Sequence, residues 1–213
     1  LFGIALASGL LGLTLIGATE IAGTDLDPGI VSLALGGLAL ITTVVSVSGI
    51  LIFGLLAAYA FSRLKFKFSK WFLLPFLLGL LLPVQSYLTA QSRLLDAFYI
   101  LDTRWALILP YIGLGLSLAV FLLKGYLDSL PRELFEAARI DGAGDFRMLA
   151  QIVLPMIRPG VANVATFSVL SAWNEFLLAT LYIQSDDLRT IPVGLLAFTG
   201  KYSTDYPTLF AAL

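Results

Sequence analysis

The chain contains no cysteine and no histidine, and only 13% of its residues are charged. The first absence removes disulfides, thiolate metal sites and cysteine nucleophiles. The second removes imidazole ligands, histidine general bases and any Ser–His–Asp triad. Soluble domains carry about 25% charged residues. A chain with half that share, and 59% hydrophobic, cannot cover a water-facing surface of its own size, so a lipid bilayer is its natural solvent. The formal net charge of −1 offers no basic face of the kind nucleic acid requires, and no nucleic-acid partner is expected. A phosphate-cradling G-x-x-x-x-G-K-[ST] loop is also missing. Gly200-Lys201-Tyr202 approaches it but lacks the first glycine.

What is present is a series of long apolar runs. A membrane helix needs about 20 mostly apolar residues to cross a hydrocarbon core roughly 30 Å thick. Five stretches meet or nearly meet this, at 1–18, within 30–61, and at 71–90, 105–126 and 159–183; a sixth begins at Pro207 and is cut short. Residues 30–61 exceed one crossing, which is placed near 38–61. The expected fold class is all-α: a polytopic integral membrane protein with about six transmembrane helices, the last truncated, in a single transmembrane domain over 1–213. The start at Leu1 and the apolar end at Leu213 lead us to expect a fragment trimmed at both ends. Residues 1–18 lack the basic start and cleavage pattern of a signal peptide. Small-xxx-small patterns such as Ser8–Gly12 occur, but they are frequent by chance in Gly- and Ala-rich spans and assign nothing.

Lys and Arg set the expected orientation. Arg63, Lys65, Lys67 and Lys70 follow the second span, and Lys124, Arg132, Arg139, Arg147 and Arg158 follow the fourth; the other loops hold Arg93, Arg104, Arg189 and Lys201. Both basic segments fall on one side by alternation, and that side is expected to be cytoplasmic.

One segment there, 127–158, is too polar for a span and too ordered for a linker. Pro131 suits a helix's first turn, and Glu133 sits near the positive end of its dipole. Leu130, Leu134, Ala137 and Ala138 recur at helical spacing, Gly142 is a natural stop, and Asp145 suits the N-cap of a second helix running to about Leu154. The pattern predicts a helix–turn–helix. Its amphipathic first helix suits a groove on a partner, lipid headgroups, or the chain's own bundle equally well.

Glu136-Ala137-Ala138, then Gly142, then Ile152 and Leu154-Pro155, resembles the EAA signature of the permeases of binding-protein-dependent ABC importers. The variant is similar to the carbohydrate branch, the maltose-type second permease in particular. Ala57-Ala58-Tyr59-Ala60-Phe61-Ser62-Arg63 resembles the end of that family's second helix, Pro83-Val84-Gln85 the end of its third and Trp173-Asn174-Glu175-Phe176 part of its fifth. An Asn-Ser pair ahead of the second helix is missing, Ala90 stands where a second proline is common, and Leu101-Asp102-Thr103 replaces the usual Leu-Asn-Thr.

The resemblance implies an inner-membrane permease subunit that is not itself an enzyme. It implies a sister permease, two ATPase subunits, an extracytoplasmic solute-binding protein and a sugar or oligosaccharide substrate. This chain would bind no cofactor, with ATP and Mg held by the ATPase. Glu136, Ala137, Ala138, Asp141, Gly142, Leu154 and Pro155 become the expected coupling residues. Glu136 would pair with a basic group on the ATPase, Ala138 would permit close approach, and Gly142 would turn the chain. Glu175, the one acid in an apolar span, could with Trp173 and Asn174 line a sugar path, or else make an interhelical hydrogen bond or sit at the outer interface. Competing readings are an importer of a non-sugar solute such as glycerol phosphate or a polyamine, and a stand-alone secondary carrier.

Overall fold

A computed structural model describes residues 28–64, 67–185, 188, 190 and 193. The expected first span, at 1–18, and the start of the sixth, at Pro207, lie outside the described residues. Among those described there is no strand, and the all-α expectation holds.

Helix α1 (Pro28–Arg63) is continuous. Its part Ala39–Arg63 is long and apolar enough to cross a membrane, close to the 38–61 expected, and the turns before it are helical too. The stretch 71–90 is not one span but two helices, α2 (Ser69–Leu81) and α3 (Leu88–Ala97). The break lies at Leu82-Pro83. Pro83 has no N–H to continue the ladder, and its ring disfavours helical geometry at the residue before it. Leu82 accordingly is extended, at φ −80° and ψ 122°. At 1.5 Å per residue α2 is about 20 Å long, short of a hydrocarbon core.

The second helix of full length is α4 (Trp105–Asp128). The helix–turn–helix follows as α5 (Arg132–Ile140) and α6 (Asp145–Met156). A bend of 80° at Ile157 then separates α6 from α7 (Arg158–Trp173). The stretch 159–183 is also divided: α7 stops at Trp173, and α8 (Leu177–Tyr182) begins after Asn174, Glu175 and Phe176. Two described helices are thus each long and apolar enough for a crossing, or three if α6 and α7 form one bent span.

The chain divides into two compact units. One comprises Val45–Tyr87 and Leu109–Ala172. Its core joins Ile50, Ala58 and Tyr59 of α1 to Ala119, Leu123 and Leu127 of α4, Phe135 and Ala138 of α5, Met148, Leu149 and Val153 of α6, and Val164 of α7. The approach of α1 to α4 is close because glycine lies at the contact. A Cβ on Gly54 would stand 2.8 Å from that of Ala119. Asn163 of α7 donates to the Tyr126 hydroxyl of α4 at 2.8 Å, a polar bond between the two helices.

The other unit comprises, among the described residues, those of 28–44, Leu88–Ile108 and those from Trp173 onward. Fully buried Tyr182 of α8 donates its hydroxyl to Gln91 of α3 at 3.0 Å. Asp102 accepts from the backbone N–H groups of Gln184 and Ser185 at 2.8 and 2.9 Å, and from the Ser185 hydroxyl. Its own backbone is left-handed, at φ 55°, a region in which Asn and Asp are enriched several-fold. That explains why aspartate serves where asparagine is usual in the resembling family.

These bonds hold the Asp102 carboxyl below its ordinary pKa of 3.8, the Ser185 hydroxyl contributing most. Because the folded value is depressed, the stabilisation is fully present above the unfolded pKa and is lost as pH falls through the lower folded one. The tether should therefore be indifferent to pH between 5 and 8. Asp102→Ala should speed amide exchange at Ser185 by roughly 10- to 150-fold, since losing a charge-assisted bond costs about 1.5–3 kcal/mol. Asp102→Asn should leave exchange near wild type, because the amide oxygen still accepts and asparagine tolerates the left-handed backbone. Equal effects of the two would refute this account.

Candidate functional site

The helix–turn–helix ends its first helix with two bonds that only a left-handed residue permits. Gly142, at φ +76°, donates to the Arg139 carbonyl at 3.0 Å, and Ala143 donates to the Ala138 carbonyl at 2.9 Å. This pair is the Schellman closure of a helix C-terminus. Gly142 thus turns the chain as its spacing implied. Asp145 departs from expectation. It is the first residue of α6, with Gly144 as the cap residue and no side-chain cap. Its carboxylate instead accepts from the Tyr59 hydroxyl at 3.3 Å and pairs with Arg139 at 3.9 Å.

Along α5 the two faces differ. Phe135 and Ala138 are buried, Leu130 and Leu134 are half-buried, and Ala137 is exposed. The apolar stripe is therefore turned from the one read in the sequence: the large Phe135 takes the inward position and Ala137 points out. Ala138's small size serves close packing inside this chain, not on the outward face. The outward side carries Arg132, Glu133, Glu136, Ala137, Arg139 and Ile140, with Asp141 and Phe146 beside the turn. Ile140 is 87% exposed and Phe146 79%. Glu136 makes no ion pair or hydrogen bond with the described residues, so the pairing with Arg132 or Arg139 that its spacing allowed does not form.

In α6, residues Met148–Val153 are wound as a π-helix. The N–H of Leu154 reaches back to the Leu149 carbonyl, and the next residue, Pro155, has no N–H to give. Wider winding before a proline accommodates that missing donor. Leu154 is half-buried and Pro155 exposed. Pro155 thus marks the end of α6, and the chain turns by 80° two residues later.

The end of α1 holds this assembly. Arg63 donates to the Leu130 carbonyl at 3.1 Å and also to the Leu127 carbonyl, and its guanidinium lies 3.7 Å from the centre of the Phe135 ring. Ser62 donates to Asp128 at 2.6 Å, while Lys124 takes the other oxygen of that carboxylate. Sequence reasoning gives Arg63 a charge and a place in a matched helix end, but no partner. That match, over residues 57–63, is the signal that points to it.

Trp173 is the last residue of α7, and Asn174 and Glu175 lie in the break before α8. Both Glu175 oxygens accept from the backbone N–H groups of Leu178 and Ala179, at 2.9–3.1 Å. A carboxylate here satisfies donors that begin a helix and favours its positive end. Glu175 therefore lies in a break, not inside a continuous span, and its carboxylate has an identified structural task. Trp173 is 37% exposed and Asn174 is exposed.

A family described as "Binding-protein-dependent transport system inner membrane component" matches residues 50–213. The maltodextrin transport system permease protein MdxG of Bacillus subtilis is 40% identical over 157 residues, 74% of this chain and 56% of its own length. The diacetylchitobiose uptake system permease protein NgcG of Streptomyces coelicolor is 37% identical over 166 residues, 77% of this chain and 55% of its own. The chain spans little more than half the length of these relatives. A solved bacterial ABC transporter involved in import of the acidic polysaccharide alginate matches 92% of this chain and 66% of its own with a TM-score of 0.68, at 19% identity. That likeness concerns the fold.

Proposed function

Because this chain belongs to the family of inner membrane components of binding-protein-dependent transport systems, we propose that it is the permease of an ATP-driven importer of a sugar or oligosaccharide. In this reading the α5–α6 segment lies on the cytoplasmic side, where the basic residues fall, and docks into a partner ATPase. A sister permease completes the path, and a solute-binding protein delivers the substrate outside. ATP and Mg reside on the ATPase, and this chain contributes no cofactor site. The relatives named for maltodextrin and diacetylchitobiose uptake support a saccharide as the solute.

One observation carries the docking reading. The outward face of α5 pairs an uncompensated carboxylate, Glu136, with an almost fully exposed Ile140, and Phe146 stands beside them. Exposed apolar side chains rimmed by charge mark interaction surfaces. Amphipathic helices commonly seat such faces in a partner's groove. Lipid headgroups are the weaker alternative, because an interfacial helix favours an excess of Lys and Arg on its polar face, and here the exposed Arg132 and Arg139 are offset by Glu133, Glu136 and Asp141.

The test is to purify the full-length protein from its native membrane, with and without Glu136→Lys. Wild type should bring an ATPase and a second permease. The variant should keep the permease and lose the ATPase, since spoiling a desolvated charge pair costs about 2–5 kcal/mol, roughly 30-fold or more in affinity. Wild type emerging alone would sink the importer reading.

A further inference from the structure

We infer that Arg63, with Tyr59 and Ser62, clamps the end of α1 to the α4–α5 corner and to α6, making α1 a third helix driven by the helix–turn–helix. This rests on the docking role proposed above and assigns the residues that pass its motion on. The chain itself joins the segment to only two helices, α4 before it and α7 after it. A motor acting on α5–α6 has no covalent hold on α1, which lies 64–89 positions away along the sequence at the contacts concerned. Those contacts supply the hold.

The three residues stand at i, i+3 and i+4, on one face of the last turns of α1. Each reaches a different part of the segment. Tyr59 meets Asp145 at the start of α6 and lies 3.5 Å from the sulfur of fully buried Met148. Ser62 holds Asp128, the last residue of α4. Arg63 takes the carbonyls of Leu127 and Leu130, on either side of the point where α4 ends, and covers the ring of Phe135 on α5. The last carbonyls of a helix have no partner within it, and a guanidinium fork can take two acceptors while stacking on an aromatic face. A lysine ammonium has neither the fork nor the plane. The same α1 turns are packed in the core beside Ala138, Met148 and Leu149, so the polar clamp sits at the rim of an apolar joint. Such a joint resists sliding and shear together.

A purely structural anchor would raise stability alone; a transmitting one also fixes how α1 moves. The complete transporter should be reconstituted with spin labels on a cysteine pair, Leu64→Cys and Arg132→Cys. Both positions are exposed, and this chain has no cysteine of its own. Distances are read with and without bound nucleotide, and solute moved per ATP hydrolysed is measured in the unlabelled protein. In wild type the distance should be the same in both nucleotide states, because α1 travels with α5. In Arg63→Lys the distance should differ between states, ATP hydrolysis should continue, and solute moved per ATP should fall about tenfold.

A wild-type distance that changes with nucleotide would overturn the clamp outright, even if Arg63→Lys failed to assemble. Full transport per ATP in an assembled Arg63→Lys complex would overturn it too. The two readings separate cleanly. Absence of any ATPase from the wild-type complex removes the docking role and the clamp's function with it, whereas an ATPase bound beside a variable α1–α5 distance removes only the clamp.

Discussion

Gly142→Pro should abolish transport, to below about 1% of wild type, while the chain still inserts in the membrane. Three costs coincide at that position. Proline locks φ in the negative, right-handed range, but Gly142 sits at φ +76°. The N–H that Gly142 gives to Arg139 disappears. The preceding Asp141, at φ −74° and ψ 5°, is pushed towards extended geometry by a following proline. Interior-helix proline alone costs about 3 kcal/mol, equivalent to more than a hundredfold in an equilibrium. The damage is local in sequence but not in effect, because this turn sets the angle at which α6 leaves α5, and both helices bury side chains in the same core.

The series around this substitution is diagnostic. Gly142→Ala keeps the N–H and meets nothing within 4 Å, so its cost is the left-handed backbone alone, about 1–2 kcal/mol. It should lower ATPase binding roughly tenfold. Gly142→Asn should lie between alanine and wild type, because asparagine tolerates that region. Uptake into vesicles holding the complete transporter gives the order directly. The expected ranking is Gly, Asn, Ala, Pro. A proline variant that transports normally would show that the turn has no part in coupling.

That turn is where sequence and structure agree best, and the reason is physical. Gly142 carries its conformation in its identity, as no other residue adopts a left-handed backbone at so little cost. The membrane class was equally legible, because 13% charge excludes a water-facing surface at any arrangement of the chain. Helix continuity was not. Residues 71–90 and 159–183 are apolar enough to cross, and composition alone says nothing of breaks inside an apolar run. Pro83 is visible in the sequence, but Pro75 and Pro110 lie inside α2 and α4, so a proline alone does not mark a break. The break after Trp173 has no proline at all; it is closed by Glu175 reaching two backbone donors, an arrangement that depends on three-dimensional placement.

The site divides in the same way. Helical spacing identified α5, but it placed Ala137 in the apolar stripe and left out Phe135, which is the buried one. The inward position is set by Arg63, whose guanidinium covers Phe135 from a different helix far back in the chain. Long-range polar contacts of this kind leave no local periodicity. In the sequence, Tyr59 and Ser62 consequently stand out only as part of a match to a helix end, and Arg63 only by that match and its charge.

The second large effect is expected far from any charge. Gly54→Leu should lower the thermal midpoint of the purified protein by roughly 6–12 °C, taking about 3 kcal/mol for overpacking and 2–4 °C per kcal/mol for a chain of this size. The Cβ alone would stand 2.8 Å from the Cβ of Ala119, whereas carbon atoms pack comfortably at about 3.5–4.0 Å. Ala119 has no exposed surface, and neither does Ala58 one turn along α1, so the intruding side chain finds no free volume. Where lipid already solvates apolar surface, close van der Waals packing is a main source of helix association. Forcing α1 and α4 apart therefore removes more than the local contact. Gly113→Leu makes the matched control, because a Cβ there meets nothing within 4 Å; its midpoint should stay near that of wild type. The exchange Gly54→Ala with Ala119→Gly moves one methyl group across the same interface and should recover most of the stability that Gly54→Ala alone removes. Failure of that rescue would mean the two helices do not meet at this pair.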